Sequence, residues 1–441
     1  MKKSYVRSIL VSAMSLPVTI LLTAASPVPV QPAGPIDVRY CGIGFQGAKR
    51  DFAAANQNLT RIFSDPAASS KVNNLIFAKL KEVSRNMNLS METGVGSTLV
   101  LAHLLTYESI TPQAYSDPRD GKKYWAVMYS VGVNTILFDP ESRKIRKIVP
   151  AIITYSERTP VAPIIGKPAM AFNKMFDEIK SPDTASGMWV KSLGELDYAA
   201  QESYFSVRPV KLSADARAEL QAGLAADRGQ TVGGFIKRVT TQNEAILANV
   251  FRKPVVPVNL DNNGQSIDSP NFAAVMPNCF SSDQSLELPE PNYVMQVSIE
   301  KLSSGKFEHR LGADAGQKAG ELFQIEQGFG GRYQVQFLLP GEKEEIIDDR
   351  TFGFSRSIRF SRPTDINTFD QYSKLTVNFI GEALLAYAAQ SKPWVKANIS
   401  ASIDDKKLRD AGKITKDWKD RIGKRFGIAP PPKAELQDDE K

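Results

Sequence analysis

Stretches in which apolar and polar residues alternate occur twice in this 441-residue chain, about 200 residues apart, and they limit the folds open to it. A period of two is typical of half-buried strands. Each time, a strand-like stretch is followed by a longer one, a Pro-containing turn, a returning stretch and a helical stretch. The pattern predicts an α+β or α/β chain of two mixed-sheet modules. Each would hold a long β-hairpin with packing helices, and a helical connector would join them.

The first module is expected over residues 37–180. Val38–Phe45 has the pattern of a strand, and apolar residues at three- and four-residue spacing then predict helix. Leu99–Tyr107 is apolar on both faces, which is typical of a central strand. A hairpin over Trp125–Tyr155 follows, and Pro150 predicts an edge position or a bulge for its second strand.

The second module is expected over residues 292–395, where alternation returns and a helix follows from about Gln371 to Gln390. Its hairpin is rich in aromatic residues, which at strand spacing are typical of a core; a sugar- or peptide-binding platform is the alternative. Between the modules, residues 181–254 have the spacing of a helical connector. Residues 255–291 are rich in Pro, Asn, Asp and Ser, which predicts a long loop.

The amino terminus has the pattern of a secretory signal peptide over residues 1–25. A basic start is followed by an apolar run of about 15 residues, shorter than the roughly 20 that span a bilayer, and then by small residues. An uncleaved anchor is the alternative. We expect cleavage near Ala25, a Pro-rich linker over 26–36, and a periplasmic or secreted mature chain with no transmembrane segment.

The formal charge of +7 includes Lys2, Lys3 and Arg7 of the expected signal peptide. The excess that remains is small, so it does not indicate a nucleic-acid partner. The two cysteines, Cys41 and Cys279, predict either a disulfide in an oxidising compartment or two buried thiols.

Motifs for catalysis and cofactor binding are few. His103 lies in an apolar run, which favours a core position, and His309 lies among polar residues, which favours the surface. No GxSxG, HExxH or paired-cysteine motif occurs. The glycines at 42, 44 and 47 are followed by helical spacing rather than by a second strand, so they do not predict a dinucleotide site. We therefore predict no catalytic residue, no metal and no cofactor.

The carboxyl-terminal segment, residues 396–441, predicts a basic amphipathic helix followed by a disordered tail. Its apolar stripe lies between many lysines and arginines and comprises Leu408, Ile414, Trp418, Ile422 and Phe426. Such a helix can contact an envelope protein or an anionic membrane surface. Packing on its own domain is the alternative.

The element order of the first module, with the segment Leu104-Leu105-Thr106-Tyr107-Glu108 before the hairpin, resembles a known envelope layout. It is similar to the α/β domains of the curli-secretion lipoprotein family and to the amino-terminal domain of the Tol-system periplasmic protein. The resemblance covers about a quarter of the chain, and the lipobox of the curli family does not occur here. It implies a role in envelope assembly or scaffolding and assigns no functional residue.

These observations predict an exported envelope protein that scaffolds or binds a partner without catalysis. Two alternatives stay open. One is a secreted hydrolase with a site assembled from scattered residues. The other is a periplasmic protein that binds a glycan or another small ligand.

Overall fold

The structure is a computed structural model. The residues it describes are 35–47, 52–53, 56–92, 99–116, 123–160, 168–195, 203–224, 231–251, 253–261, 263–267, 271–310, 323–360, 368–389, 391, 393–394 and 398.

Thirteen strands and seven α-helices lie within these ranges. The strands are β1 (Ile36–Gln46), β2 (Met87–Ser90), β3 (Leu99–Ser116), β4 (Lys123–Phe138), β5 (Ile145–Thr159), β6 (Phe205–Val207), β7 (Lys211–Leu212), β8 (Val255–Val256), β9 (Asn271–Val275), β10 (Gln284–Glu287), β11 (Tyr293–Arg310), β12 (Phe323–Leu339) and β13 (Glu345–Phe360). The helices are α1 (Gln57–Phe63), α2 (Pro66–Val83), α3 (Pro168–Asp177), α4 (Ala185–Gly194), α5 (Ala214–Leu224), α6 (Val232–Phe251) and α7 (Thr368–Ala389). None of these helices is long and apolar enough to cross a membrane.

The first sheet has the strand order β10-β9-β1-β3-β4-β5, with β2 beside β1. β3 lies between a parallel neighbour, β1, and an antiparallel one, β4, which confirms the central strand predicted over Leu99–Tyr107. β5 ends the sheet, and Pro150 lies within it opposite Asn134. The edge position predicted from this proline is therefore confirmed, since an edge strand leaves half of its backbone N–H groups without a strand partner.

The second sheet has the order β13-β12-β11-β6-β8, with β7 beside β11. It repeats the element order of the first. In both, a strand and two helices lead by a parallel crossover into a three-stranded antiparallel meander, and a helix follows. The α+β class with two mixed sheets is thus confirmed.

Each module has its own main core, with helices packed on one face of a sheet. In the first, α1 to α4 cover the sheet, and Phe172, Phe176 and Leu193 are fully buried. In the second, α5, α6 and α7 cover the sheet, and Tyr333 stacks on Phe379 of α7 with ring centroids 4.3 Å apart. The aromatic residues of the second hairpin thus belong to the core wherever their side chains are described.

The helical connector predicted over 181–254 needs correction, because its helices belong to the two cores. Trp189 of α4 lies in the first core, and Phe235 of α6 lies in the second. Their apolar faces are wide enough to bury against a sheet, so these helices are parts of the modules and not a free link.

The loop predicted over 255–291 also needs correction, because it contains the strands β8, β9 and β10. β9 pairs antiparallel with β1, and β10 pairs with β9, so a segment that follows α6 returns to the first sheet. Gly44 of β1 permits this approach, since a Cβ there would lie 2.3 Å from the carbonyl oxygen of Val275. The first module therefore extends beyond residue 180.

A second, smaller core lies on the other face of the first sheet. It contains Cys41, Leu104, Phe138 and Met276, with Phe280 packed against it. A single backbone β-bridge between Lys144 and Glu287 brings the β10 end of the sheet to the turn between β4 and β5. The sheet therefore curls around this core.

Candidate functional site

Cys41 and Cys279 form a disulfide, with their Cα atoms 5.4 Å apart and a sequence separation of 238. The predicted pair is therefore confirmed. Because Cys41 lies at the start of the first predicted module and Cys279 just before the second, the sequence predicts a bridge that pins the two modules together, and this prediction is wrong. Because β9 and β10 belong to the first sheet, both cysteines lie in the first module.

Strand alternation positions Cys41 for this bridge, because Tyr40 faces the helix-covered core and Cys41, the next residue, faces the smaller one. The register with β3 then shifts between Tyr40 and Gly42, and Gly42 has a φ of +74°. This β-bulge returns Ile43 to the helix-covered core. Asn278 beside the bridge donates a hydrogen bond from Nδ2 to the Cys41 carbonyl oxygen, at 3.2 Å.

His103 is a core residue, as predicted. Its side chain is fully buried, Nδ1 lies 2.9 Å from Oγ1 of Thr135, and its ring packs edge-on against Trp189. Burial lowers the pKa of His103 to about 3, because desolvation disfavours the imidazolium. His309 lies on β11 opposite Gln324, although its polar neighbours in the sequence are also typical of a loop.

Glu108, which ends the segment that carries the family resemblance, has a structural role. Its carboxylate accepts hydrogen bonds from the backbone N–H groups of Asn58 and Leu59, at 3.2 and 2.8 Å. These groups are at the amino terminus of α1, where N–H groups lack helical partners. Asn56 accepts in return from the Glu108 N–H, at 2.7 Å. The segment therefore anchors α1 to β3.

The junction between the modules contains a buried charge pair. Arg238 of α6 donates from Nη1 to Oδ1 of Asp370 on α7 at 2.9 Å, and the two side chains are 12% and 2% exposed. Its Nη2 donates to Oγ1 of Thr111, on β3 of the first sheet, at 3.2 Å. A second contact crosses the junction where the Tyr204 hydroxyl donates to the carbonyl of Arg146. The modules are thus joined by polar contacts as well as by packing of α6 on β5.

The paired carboxylates of the second hairpin have structural partners. Asp348 accepts from the Tyr387 hydroxyl at 2.8 Å and from Nε of Arg350 at 3.1 Å. Asp349 accepts from the side-chain amides of Gln334 and Gln336. Within the described ranges, His, Cys, Asp and Glu side chains do not gather in threes as a metal site would need.

A cleft of about 710 Å³ with both apolar and charged lining residues lies in the second module, where sequence patterns gave little indication of a site. It is lined by the segment 208–212, by Arg217 of α5, by Ile236 of α6, by the turn around Gly264 and by Gln296 of β11. Only folding brings these five segments together. Gln296, a buried polar residue within a run of buried apolar ones, is the signal in the sequence that marks its place.

The predicted interaction helix, with Leu408, Ile414, Trp418, Ile422 and Phe426, lies outside the described residues. The signal peptide and the Pro-rich linker up to residue 34 also lie outside them.

Comparisons with known proteins identify no family. No family model and no curated protein matches the chain. A hypothetical protein, CT253 from Chlamydia trachomatis, is a structural neighbour with 9% identity and a TM-score of 0.24, covering 42% of this chain and 96% of its own. A similarity at this level carries no conclusion about fold or function.

Proposed function

We propose that this protein is exported to the cell envelope and acts there as a scaffolding or interaction protein without catalytic activity. The disulfide between Cys41 and Cys279 supports the location. Disulfides persist in oxidising compartments such as the periplasm and are rare in the cytosol. The apolar run and the small residues of segment 1–25 are a second, independent observation that supports export.

The observation that carries the scaffolding role is the junction between the modules. Arg238 ties α6 to Asp370 in its own module and to Thr111 in the other. The ion pair fixes the Arg238 guanidinium within the second module, and its hydrogen bond to Thr111 links that module to the first sheet. A scaffold needs two sheets in a constant relation, since it must present two surfaces to partners at a fixed spacing.

The described carboxylates with structural partners also favour binding over catalysis. Glu108 caps a helix, Asp348 receives the Tyr387 hydroxyl and Asp370 pairs with Arg238. Each of these acids therefore stabilises the fold. The edge strand β13 provides one surface for a partner, since no described strand pairs with its outer edge and Ile346 there is 55% exposed. An extended partner segment can add to such an edge through backbone hydrogen bonds.

The carboxyl-terminal helix is the second proposed contact. Its apolar stripe, with Trp418 at the centre and basic residues beside it, fits an envelope protein or an anionic lipid surface. We place no nucleic acid among the partners.

The proposal is tested by photocrosslinking in intact cells. Variants of the full chain carry a photoreactive residue at Ile346, at Trp418 or, as an exposed control on α3, at Met170. We expect discrete protein adducts in the envelope fraction from position 346 or 418 and none from 170. Recovery of the chain in the cytosolic fraction with Met1 intact would refute export, and adducts from none of the three positions would refute the interaction role.

A further inference from the structure

The charged side chains that line the cleft of the second module are all cations. Arg208, Lys211 and Arg217 line it, and its lining includes no aspartate or glutamate. Glu344 forms an ion pair with Arg208, which leaves Lys211 and Arg217 without a carboxylate partner in the described part of the chain. Two uncompensated cations beside one cleft attract an anion.

Gln296 supplies a buried hydrogen-bond acceptor to the same cleft. Its side chain is 1% exposed, and its Nε2 donates to the carbonyl oxygens of Pro209 and Val297 at 3.0 and 3.1 Å. These two acceptors determine which way the amide points, because only the nitrogen can donate to them. Oε1 is buried without a donor among the described residues. A buried acceptor without a donor is unfavourable, and a ligand with a hydroxyl group would satisfy it.

The wall opposite these groups is rigid. Asp261 accepts at Oδ1 from the backbone N–H groups of Asn263 and Gln265, both at 2.8 Å. Gly264, with a φ of +75°, lies so close to α6 that a Cβ would be 2.7 Å from Cβ of Ile236. The turn is thus held by its own hydrogen bonds and by close packing, so this part of the cleft lining is formed before any ligand arrives.

We propose that this cleft binds a small hydroxylated anion, such as a sugar acid or a sugar phosphate. The anionic group would contact Lys211 and Arg217. A hydroxyl would donate to Oε1 of Gln296 after a small movement of the cleft floor exposes this oxygen, which is buried in this structure. The volume lies within the range of roughly 300–1,000 Å³ that is usual for pockets that hold small molecules. A neutral sugar would leave the two cations unused, and a simple anion would leave the Gln296 oxygen without a donor.

The chemistry of the ligand is tested by calorimetric titration of the full chain at low ionic strength. The probes are D-galacturonate and D-glucose 6-phosphate as hydroxylated anions, D-galactose as the neutral sugar and acetate as the simple anion. We expect at least one hydroxylated anion to bind at least tenfold more tightly than D-galactose and acetate. A preference for galacturonate indicates a carboxylate ligand, and a preference for glucose 6-phosphate indicates a phosphate ester. Equal affinity for acetate and both sugar anions would overturn the proposal, as would no binding of either sugar anion.

The location of the site is tested with a pair of variants. The double variant Lys211→Gln and Arg217→Gln should weaken the binding at least tenfold, because both side chains are exposed and their replacement leaves the core unchanged. Lys301→Gln removes an exposed charge from β11 outside the cleft lining and should change the affinity less than twofold. Equal effects of the double variant and the control would refute the assignment to this cleft. Unchanged thermal unfolding of both variants shows that the comparison is made on folded protein.

Discussion

Arg238 and Asp370 form a buried ion pair at the junction of the two modules, with 2.9 Å between Nη1 and Oδ1. The two residues are 132 positions apart and lie on neighbouring helices, α6 and α7. Because the same guanidinium also donates to Thr111 of the first sheet, one side chain connects three elements from both modules.

Asp370→Asn should lower the free energy of unfolding by about 3–5 kcal/mol, because it leaves the buried Arg238 cation without its charge partner. Urea denaturation of the full chain measures this change. Glu344→Gln is the control, since it breaks an ion pair with Arg208 in which both side chains are more than a third exposed. Exposed pairs contribute about 0–1 kcal/mol. Losses of equal size in the two variants would contradict the special role of the junction.

Glu244 on α6 should make stability fall as pH rises. Burial raises its pKa from 4.5 to about 8, while Oε1 accepts from the Val258 N–H at 2.7 Å. Between pH 4.5 and 8 the folded chain holds this proton and the unfolded chain does not. The group's contribution to stability is therefore complete below pH 4.5 and declines by about 1.4 kcal/mol per pH unit up to pH 8.

Denaturation of the wild type and of Glu244→Gln at several pH values isolates this contribution. The glutamine keeps an oxygen for the Val258 N–H and has no proton to lose. We expect the stability of the variant relative to the wild type to rise steadily between pH 5 and 8. Parallel pH profiles for the two proteins would show that the carboxyl is ionised in the folded state.

Gly42→Ala should be more destabilising than Gly47→Ala, although both glycines have positive φ, at +74° and +87°. A left-handed backbone costs about 1–2 kcal/mol for an alanine at either position. At position 42 the new Cβ would also lie 2.6 Å from Oδ1 of Asn73, which accepts from the Ile43 N–H. At position 47 nothing lies within 4 Å. Thermal unfolding of both variants gives the comparison, and equal losses would show that Asn73 moves aside freely.

The disulfide should hold the segment after β9 in place. Alkylation of the native protein without reductant should label neither Cys41 nor Cys279. The double variant Cys41→Ala and Cys279→Ala should lose about 2–4 kcal/mol of stability. A protease should also cleave this variant between β9 and β10 faster than it cleaves the oxidised wild-type protein. Reduced wild-type protein, which also lacks the bridge, is the matched control. Two labelled thiols in protein from its native compartment would contradict the bridge.

The longer elements could be predicted because their patterns are local and repeated. β4, β11 and β12 each span sixteen residues or more, so alternation repeats often enough to be recognised, and β3 contains a long run that is apolar on both faces. β8, β9 and β10 have two, five and four residues. Strands this short carry too few alternating positions to differ from a polar loop, and their neighbouring Pro and Asn residues favour the loop interpretation.

Some of the candidate sites could be predicted from the sequence and others could not, for a related reason. Cysteines are rare enough that two of them in an exported chain indicate a bridge, and the burial of His103 follows from its apolar neighbours. The cleft and the Arg238–Asp370 pair could not be predicted, because ordinary charged and amide residues in four separate segments acquire a role only when they are brought together. No local spacing distinguishes Lys211 or Arg217 from similar residues elsewhere in the chain, and Gln296 differs only as a polar residue within an apolar run.

By itself the sequence determined a mixed class, α+β or α/β, the two long hairpins and the cysteine pair, since short-range periodicity and residue chemistry specify these. The tertiary structure alone decided that β9 and β10 return to the first sheet, that the disulfide lies within one module, and that a cleft lined by cations forms in the other. The physical reason is that strand pairing joins β1 to residues more than 200 positions away. Such a pairing depends on which sheet edge is open and which apolar face still needs cover, and these properties exist only after the modules have packed.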